Sequence, residues 1–73
     1  MVTYQDAKKT ALKVQKSVNA CREYVEAYYF YNKDYTGDGA NGVVVVKKTG
    51  ATKSFPQFVL DRKGTDQGKS ITF

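Results

Sequence analysis

Four consecutive valines, residues 43–46, constrain the fold more than any other feature of the sequence. All four side chains are β-branched, and such side chains favour extended strands because their χ1 rotation is restricted. Successive side chains of a strand point to opposite faces, so Val43 and Val45 lie on one face of a sheet and Val44 and Val46 on the other. The run therefore predicts a strand whose sheet is apolar on both faces.

Two further strands are predicted on either side of the valines. Residues 24–31 read YVEAYYFY, a composition that favours a strand and is also apolar on both faces. The polar stretch 32–42, which contains three glycines, predicts a hairpin loop. The sequence KKTG at 47–50 predicts a tight turn, after which residues 51–55 run back antiparallel. Together these segments predict a three-stranded meander.

An amphipathic helix is predicted ahead of the strands. Thr3 followed by Asp6 resembles a capping box, with a carboxylate suited to a helix N-terminus. The helix is expected to end near Asn19 or to continue through Cys21. Apolar residues recur at three- and four-residue steps, which places them on one face: Tyr4, Ala7, Ala11, Val14 and Val18.

A short helical turn is predicted after the third strand, within residues 54–61. Ser54 is a suitable N-cap, and Pro56 is tolerated early in a helix. Residues 62–69 are polar and predict a loop, and Ile71 with Phe73 alternates as a short fourth strand would. The aromatic and aliphatic residues of the turn, expected to pack on the core, are Phe55, Phe58 and Val59.

The fold class predicted from these elements is α+β, with residues 1–73 forming one small domain. Its N-terminal amphipathic helix packs on a three- to four-stranded antiparallel meander, and one helix covers only one face of the sheet. The second face is expected to be covered by Phe55, Phe58 and Phe73, or else to meet another protein or a second copy of the chain.

The chain offers little for catalysis or metal binding, so we expect neither enzymatic activity nor a cofactor. It contains no histidine and one cysteine, Cys21, so an internal disulfide is excluded and a reducing, cytoplasmic location is expected. We expect Cys21 to be a small buried hydrophobic residue near the end of the first helix. Residues 34–39, DYTGDG, match half of a calcium-binding loop, but the twelfth position is Val45, and the segment is interpreted as a polar hairpin loop.

Two binding functions remain open. The first is protein recognition by an apolar sheet surface that contains Val44, Val46, Tyr29 and Tyr31. The alternative is nucleic-acid binding by the lysine face of the first helix, aided by the tyrosines, which the formal net charge of +5 would favour. That face comprises Lys9, Lys13 and Lys16. A membrane is not expected as partner, because the longest apolar-aromatic run, 27–31, is far shorter than the ~20 residues that span a bilayer.

The order of helix, aromatic strand Tyr28-Tyr29-Phe30, polar loop and VVVVKKTG at 43–50 resembles small bacterial α+β domains of the PepSY and immunity-protein 35 kind. The resemblance covers about the first two-thirds of the chain. It implies a bacterial protein-binding or inhibitory module without catalysis.

Overall fold

The computed structural model describes residues 1–34, 42–62 and 64–73. Within these ranges, five strands form one sheet in the order β4-β3-β2-β1-β5, and every neighbouring pair is antiparallel. Helix α1 packs on one face of the sheet and helix α2 on the other. The elements in chain order are α1 Tyr4–Val14, β1 Ala20–Glu23, β2 Ala27–Tyr31, β3 Val43–Val46, β4 Thr52–Lys53, α2 Phe55–Asp61 and β5 Lys69–Ile71.

The predicted α+β class is confirmed, and the cap of α1 is confirmed with it. Thr3 Oγ1 accepts a hydrogen bond from the backbone N–H of Asp6 at 3.2 Å. The predicted end of α1 is wrong, because the helix stops at Val14 and not near Asn19. The backbone N–H of Asn19 instead donates to the carbonyl of Tyr31 at 2.9 Å, which draws the chain out of the helix and toward β2.

The early end of α1 changes the predicted apolar stripe. Tyr4, Ala7 and Ala11 pack toward the sheet as expected, whereas Val14 is 59% exposed at the last position of the helix. Val18 is buried, but it enters the core from the segment after the helix.

Strand β1 was not predicted from the sequence, and with it the sheet has five strands where three or four were expected. Its four residues, ACRE, have weak intrinsic preference for extended structure. The strand lies between β2 and β5, with Cys21 opposite Phe30 on one side and opposite Ile71 on the other. Pairing along both edges therefore overrides local propensity. Cys21 is buried as expected, but in this strand and not at a helix end.

The first hairpin shortens the predicted strand 24–31 to Ala27–Tyr31. The backbone N–H of Tyr24 donates to the carbonyl of Ala27 at 2.8 Å, which closes a tight turn around Val25 and Glu26. Tyr24 is nevertheless buried, because its ring packs in an edge-to-face arrangement on Phe58 at a centroid distance of 5.2 Å.

The valine strand, the turn after it and the second helix are confirmed. Gly50 has a positive φ of 78° and donates its backbone N–H to the carbonyl of Val46 at 2.7 Å. Strand β4 covers two residues and not 51–55, because Ser54 already caps α2 by accepting from the N–H of Gln57 at 3.3 Å. The final strand is β5, Lys69–Ile71, two residues earlier than the predicted 71–73.

The sheet is covered on both faces by the chain itself. On the α1 side, Val43 and Val45 pack in a cluster with Phe30, Cys21 and the alanines of α1. On the α2 side, Val44 packs with Tyr24, Ala27 and Phe58. Phe73 was expected on this second side, but its ring packs edge-to-face on Phe30 on the α1 side.

Replacement of Val44 by alanine tests this two-sided core. Val44 is fully buried between β2 and α2, so removal of two methyl groups should lower the free energy of unfolding by about 2 kcal/mol. Urea denaturation of the variant measures the change. The control is Val14→Ala at the exposed end of α1, for which we expect a change within about 0.5 kcal/mol. Equal effects of the two substitutions would contradict the assignment of Val44 to the core.

Candidate functional site

A row of three aromatic rings crosses the α2 side of the sheet. Tyr29 and Tyr31 occupy alternate positions of β2, and their rings stack with a centroid distance of 5.1 Å and an interplanar angle of 24°. Phe55, at the start of α2, stacks on Tyr29 at 4.2 Å and 21°. Such pairs contribute about 0.5–1.5 kcal/mol each beyond the area they bury. The row therefore holds the first turn of α2 against β2.

Gly42 makes room for this row. A Cβ atom at Gly42 would lie 2.5 Å from Cε1 of Tyr29, which is closer than non-bonded carbon atoms approach. The ring of Tyr29 therefore lies across the backbone at the start of β3, and any larger residue at position 42 would require this ring to move.

The outer face of α2 is apolar. Phe58 is buried beneath the helix, whereas Val59 is 51% and Leu60 80% exposed, and Pro56 is exposed beside them. Gln57 and Asp61 occupy the opposite flank, where the amide of Gln57 donates to the Asp61 carboxylate at 2.8 Å. A surface helix normally presents charged residues to solvent. We call the partly or fully exposed set the α2-side surface: Tyr29, Tyr31, Phe55, Pro56, Val59 and Leu60.

An open groove of about 530 Å³ borders the α2-side surface, between α2 and residues 64–67. Tyr24, Phe55 and Val59 supply its apolar lining, and Arg22 lies at its edge. Nη1 of Arg22 donates to the backbone carbonyls of Gln67 at 3.2 Å and Gly68 at 3.4 Å. The groove thus extends the apolar surface and has one guanidinium that contacts only backbone acceptors among the described residues.

Arg62 fixes the other end of α2. Its guanidinium lies over the rings of Tyr24 and Phe58, at 4.7 and 5.1 Å from their centroids. Nη2 donates to Glu26 at 2.9 Å and also pairs with Asp66. The side chain is only 9% exposed, so Arg62 joins α2, the β1–β2 turn and the segment that follows the helix. Its role is to hold these parts together.

The contact with Arg62 affects the pKa of the Asp66 carboxyl. Partial burial raises its pKa, but the hydrogen bond and the charge of Arg62 lower it, as do backbone donors at Val25 and Gly68. The lowering effects prevail, so the pKa of Asp66 lies below its ordinary value. The ionised form is therefore stabilised by the fold.

A second open groove, of about 510 Å³, lies on the other side of Tyr24. Its charged lining includes Lys47 and Glu23, which pair with each other at 2.7 Å. Nζ of Lys47 also lies 4.9 Å from the centroid of the Tyr28 ring. These charges are satisfied within the fold, so the groove offers a ligand less than the α2-side surface does.

The predicted protein-binding residues separate into two groups. Val44 is wrong as a surface residue, because α2 covers β3 and buries it completely. Val46 is partly exposed beside Lys53 and Phe58, while Tyr29 and Tyr31 remain partly exposed in the aromatic row.

The outward-facing residues of α2 were not predicted from the sequence. Val59 was expected to pack on the core, whereas half of its side chain is exposed, and Leu60 was not singled out. Helical spacing does indicate that Leu60 is exposed. When Phe55 and Phe58 face the sheet, Leu60 lies on the opposite side of the helix.

The lysines of α1 and the stacked tyrosines Tyr29 and Tyr31 lie on opposite sides of the sheet. Lys9 and Lys13 are exposed on α1, and Lys16 is exposed just after it. Helix α1 covers the face of the sheet opposite to Tyr29 and Tyr31. The lysines are thus separated from the stacked pair Tyr29 and Tyr31, whereas Tyr4 and Tyr28 lie on the same side of the sheet as α1.

The half-motif for calcium lies mostly outside the described residues, which include only Asp34 of the segment 34–39. The Asp34 carboxylate accepts a hydrogen bond from Nδ2 of Asn19 at 3.1 Å. Val45, the twelfth position of the motif, is fully buried in the α1-side core. Within the ranges that the structure covers, no group of three or more candidate ligands could hold a metal ion.

Burial also governs the chemistry of Cys21. Its removal from water, followed by the nearby charge of Glu23, raises the pKa of the Cys21 thiol to about 12. The side chain is therefore a neutral thiol at neutral pH, which is the unreactive form.

Comparison of this chain with protein-family models, curated proteins and solved structures finds no match. The resemblance to PepSY and immunity-protein 35 domains therefore stays a prediction. In the part of the chain that is described, no helix is long and apolar enough to cross a bilayer.

Substitution of Arg62 by methionine tests its structural role. Methionine keeps an aliphatic chain against Tyr24 and Phe58 but removes the charge, so the pKa of Asp66 should rise toward its ordinary value of 3.8. A carboxyl whose pKa is lowered by folding stabilises the fold above its unfolded pKa and loses this effect as the pH falls through the folded pKa. The wild type should therefore exceed the variant in stability most above about pH 4.

Urea denaturation across a pH series and NMR titration of the Asp66 carboxyl measure both effects. Lys53→Met is the matched control, because Lys53 pairs with Asp61 and should leave the Asp66 titration unchanged. An unaltered Asp66 pKa in Arg62→Met would refute the ion pair.

Proposed function

We propose that this chain is a noncatalytic domain that recognises another protein through the α2-side surface, and that it works in the cytoplasm. The observation that carries the proposal is the exposed apolar outer face of α2, which continues into the stacked rings of Phe55, Tyr29 and Tyr31. Contiguous apolar surface of this kind marks interaction sites in soluble proteins.

The composition of the surface supports protein recognition. Interfaces are enriched in tyrosine and phenylalanine and depleted of charged residues at their centres. The α2-side surface has two tyrosines, one phenylalanine and three aliphatic residues, and the exposed polar residues Gln57 and Asp61 lie at its flank. An apolar surface of this kind suits a protein partner better than a small polar metabolite.

The rigidity of the surface also supports the proposal. Ser54 caps the first turn of α2, the aromatic row anchors Phe55, and Arg62 holds the end of the helix. A surface fixed before binding loses less conformational entropy when a partner docks. These contacts fix the position of the seven-residue helix before a partner binds, although only Phe58 of its residues is fully buried.

Two properties support the noncatalytic and cytoplasmic parts of the proposal. The sequence has no histidine, and the thiol of Cys21 is protonated at neutral pH and enclosed in the core. An unpaired buried cysteine is compatible with a reducing compartment.

Lysine substitutions on α2 test the proposed function. Immobilised wild type, Val59→Lys, Leu60→Lys and the control Val14→Lys are each incubated with an extract of the source cells, and the retained proteins are identified by mass spectrometry. We expect at least one protein that the wild type and Val14→Lys retain and that both α2 variants lose, because a charge at the centre of an apolar contact must be desolvated.

All four proteins should give the same circular dichroism, because the substituted side chains are largely exposed. Retention that is the same for the wild type and the α2 variants would argue against this surface as the binding site.

A second candidate function is nucleic-acid binding by the lysine face of α1. The specific observation is that Lys9, Lys13 and Lys16 are exposed and that none of them pairs with a carboxylate among the described residues. Their charges are therefore available to phosphates.

Fluorescence anisotropy with a labelled single-stranded oligonucleotide tests this candidate. We expect affinity to fall steeply as salt rises, since each phosphate contact releases counterions. The triple variant K9E/K13E/K16E should abolish binding, whereas Leu60→Lys should not weaken it. Absence of binding at low salt, or binding that is indifferent to salt, removes the candidate.

A further inference from the structure

We propose that the partner at the α2-side surface is a second copy of this chain, and that two copies meet in a two-fold symmetric dimer. The inference rests on the proposed function, because it names the occupant of the same surface. It is carried by the balance of charge among the described residues that contact α2 or line the groove beside it.

The formal charges of the described residues around α2 sum to zero. Six of them contact the helix or line the groove beside it, three cationic and three anionic: Arg22, Lys53 and Arg62, with Glu26, Asp61 and Asp66. The rest of the described chain has eight cationic and three anionic side chains, which leaves five positive charges. Among the described residues, the excess of positive charge therefore lies outside this set of six.

This distribution distinguishes a second copy from an acidic partner. In a two-fold dimer the same patch lies on both sides of the contact, so a patch with net charge repels itself. Among the described residues, the charges around α2 balance and the α2-side surface is apolar, so two copies approach there without that repulsion. An acidic protein would instead be attracted to the opposite side, where Lys9 and Lys13 project from α1.

The three carboxylates around α2 are also paired within one copy, whereas Arg22 contacts backbone carbonyls. Glu26 and Asp66 pair with Arg62, and Asp61 pairs with Lys53 at 3.2 Å. Burial of a charge is costly when the charge has no partner. A second copy can cover these carboxylates without that cost, because each of them is already paired.

The size of the chain points the same way. Domains of 73 residues bury a small share of their surface and commonly gain stability from disulfides, metals or oligomerisation. A single cysteine rules out an internal disulfide. A standard interface takes about 800 Å² from each partner, which is about one sixth of the 4852 Å² surface of this chain.

Analytical ultracentrifugation of the purified chain tests the dimer. We expect the mass to rise from 8.2 kDa toward twice that value as concentration increases. Leu60→Lys and Val59→Lys should raise the dissociation constant of the dimer by at least about tenfold, and Val14→Lys should leave it unchanged. Higher salt should not weaken the dimer, because the contact is apolar and the remaining charges repel.

NMR spectra recorded on dilution locate the contact. Amide resonances of α2 and of Tyr29 and Tyr31 should shift with concentration, while those of α1 should not. A wild-type mass that stays at 8.2 kDa at millimolar concentration overturns the inference, as does a dimer that both α2 variants leave intact. A monomer that still loses a retained protein on Leu60→Lys overturns self-association alone and leaves the proposed function standing.

Discussion

The apolar character of β3 on both of its faces is the constraint on which the rest of the structure depends. Val43 and Val45 require cover on one side of the sheet and Val44 on the other, and a chain of 73 residues has to supply both. Ala7 and Ala11, fully buried, let α1 approach the sheet closely on the first side. On the second side the cover is α2, which follows the short strand β4 directly.

The two covers are unequal, and this inequality creates the candidate surface. Helix α1 has eleven residues, enough to bury one stripe and present lysines to solvent. Helix α2 has seven residues and buries only Phe58 completely, so packing alone holds it weakly. The stack of Phe55 on Tyr29 and the ion pairs of Arg62 supply the missing attachment. The apolar outward positions Val59 and Leu60 are then not required for packing within one copy.

The sequence predicted those features that are decided locally. The caps at Thr3 and Ser54, the valine strand and the turn at Gly50 each follow from residue type and short-range spacing. Strand β1 could not be predicted in this way, because its extended form depends on partners that lie about ten and fifty residues further along the chain. The same limit applies to the site. The alternation of side chains placed Val44 and Tyr29 on one face, but it could not show that α2 buries Val44 completely and Tyr29 only in part.

The separation of charge from apolar surface lets the two candidate functions coexist. Two copies joined through α2 would have their α1 helices on the outside, so that Lys9 and Lys13 of both copies would face solvent at opposite ends of the assembly. Binding of an anionic partner to the lysines would then not compete with association through α2. Doubling the number of basic faces would strengthen binding to any extended anion long enough to reach both, because the second contact forms at high effective concentration. Self-association would thereby let two lysine faces, each of which binds weakly alone, bind one extended anion more tightly.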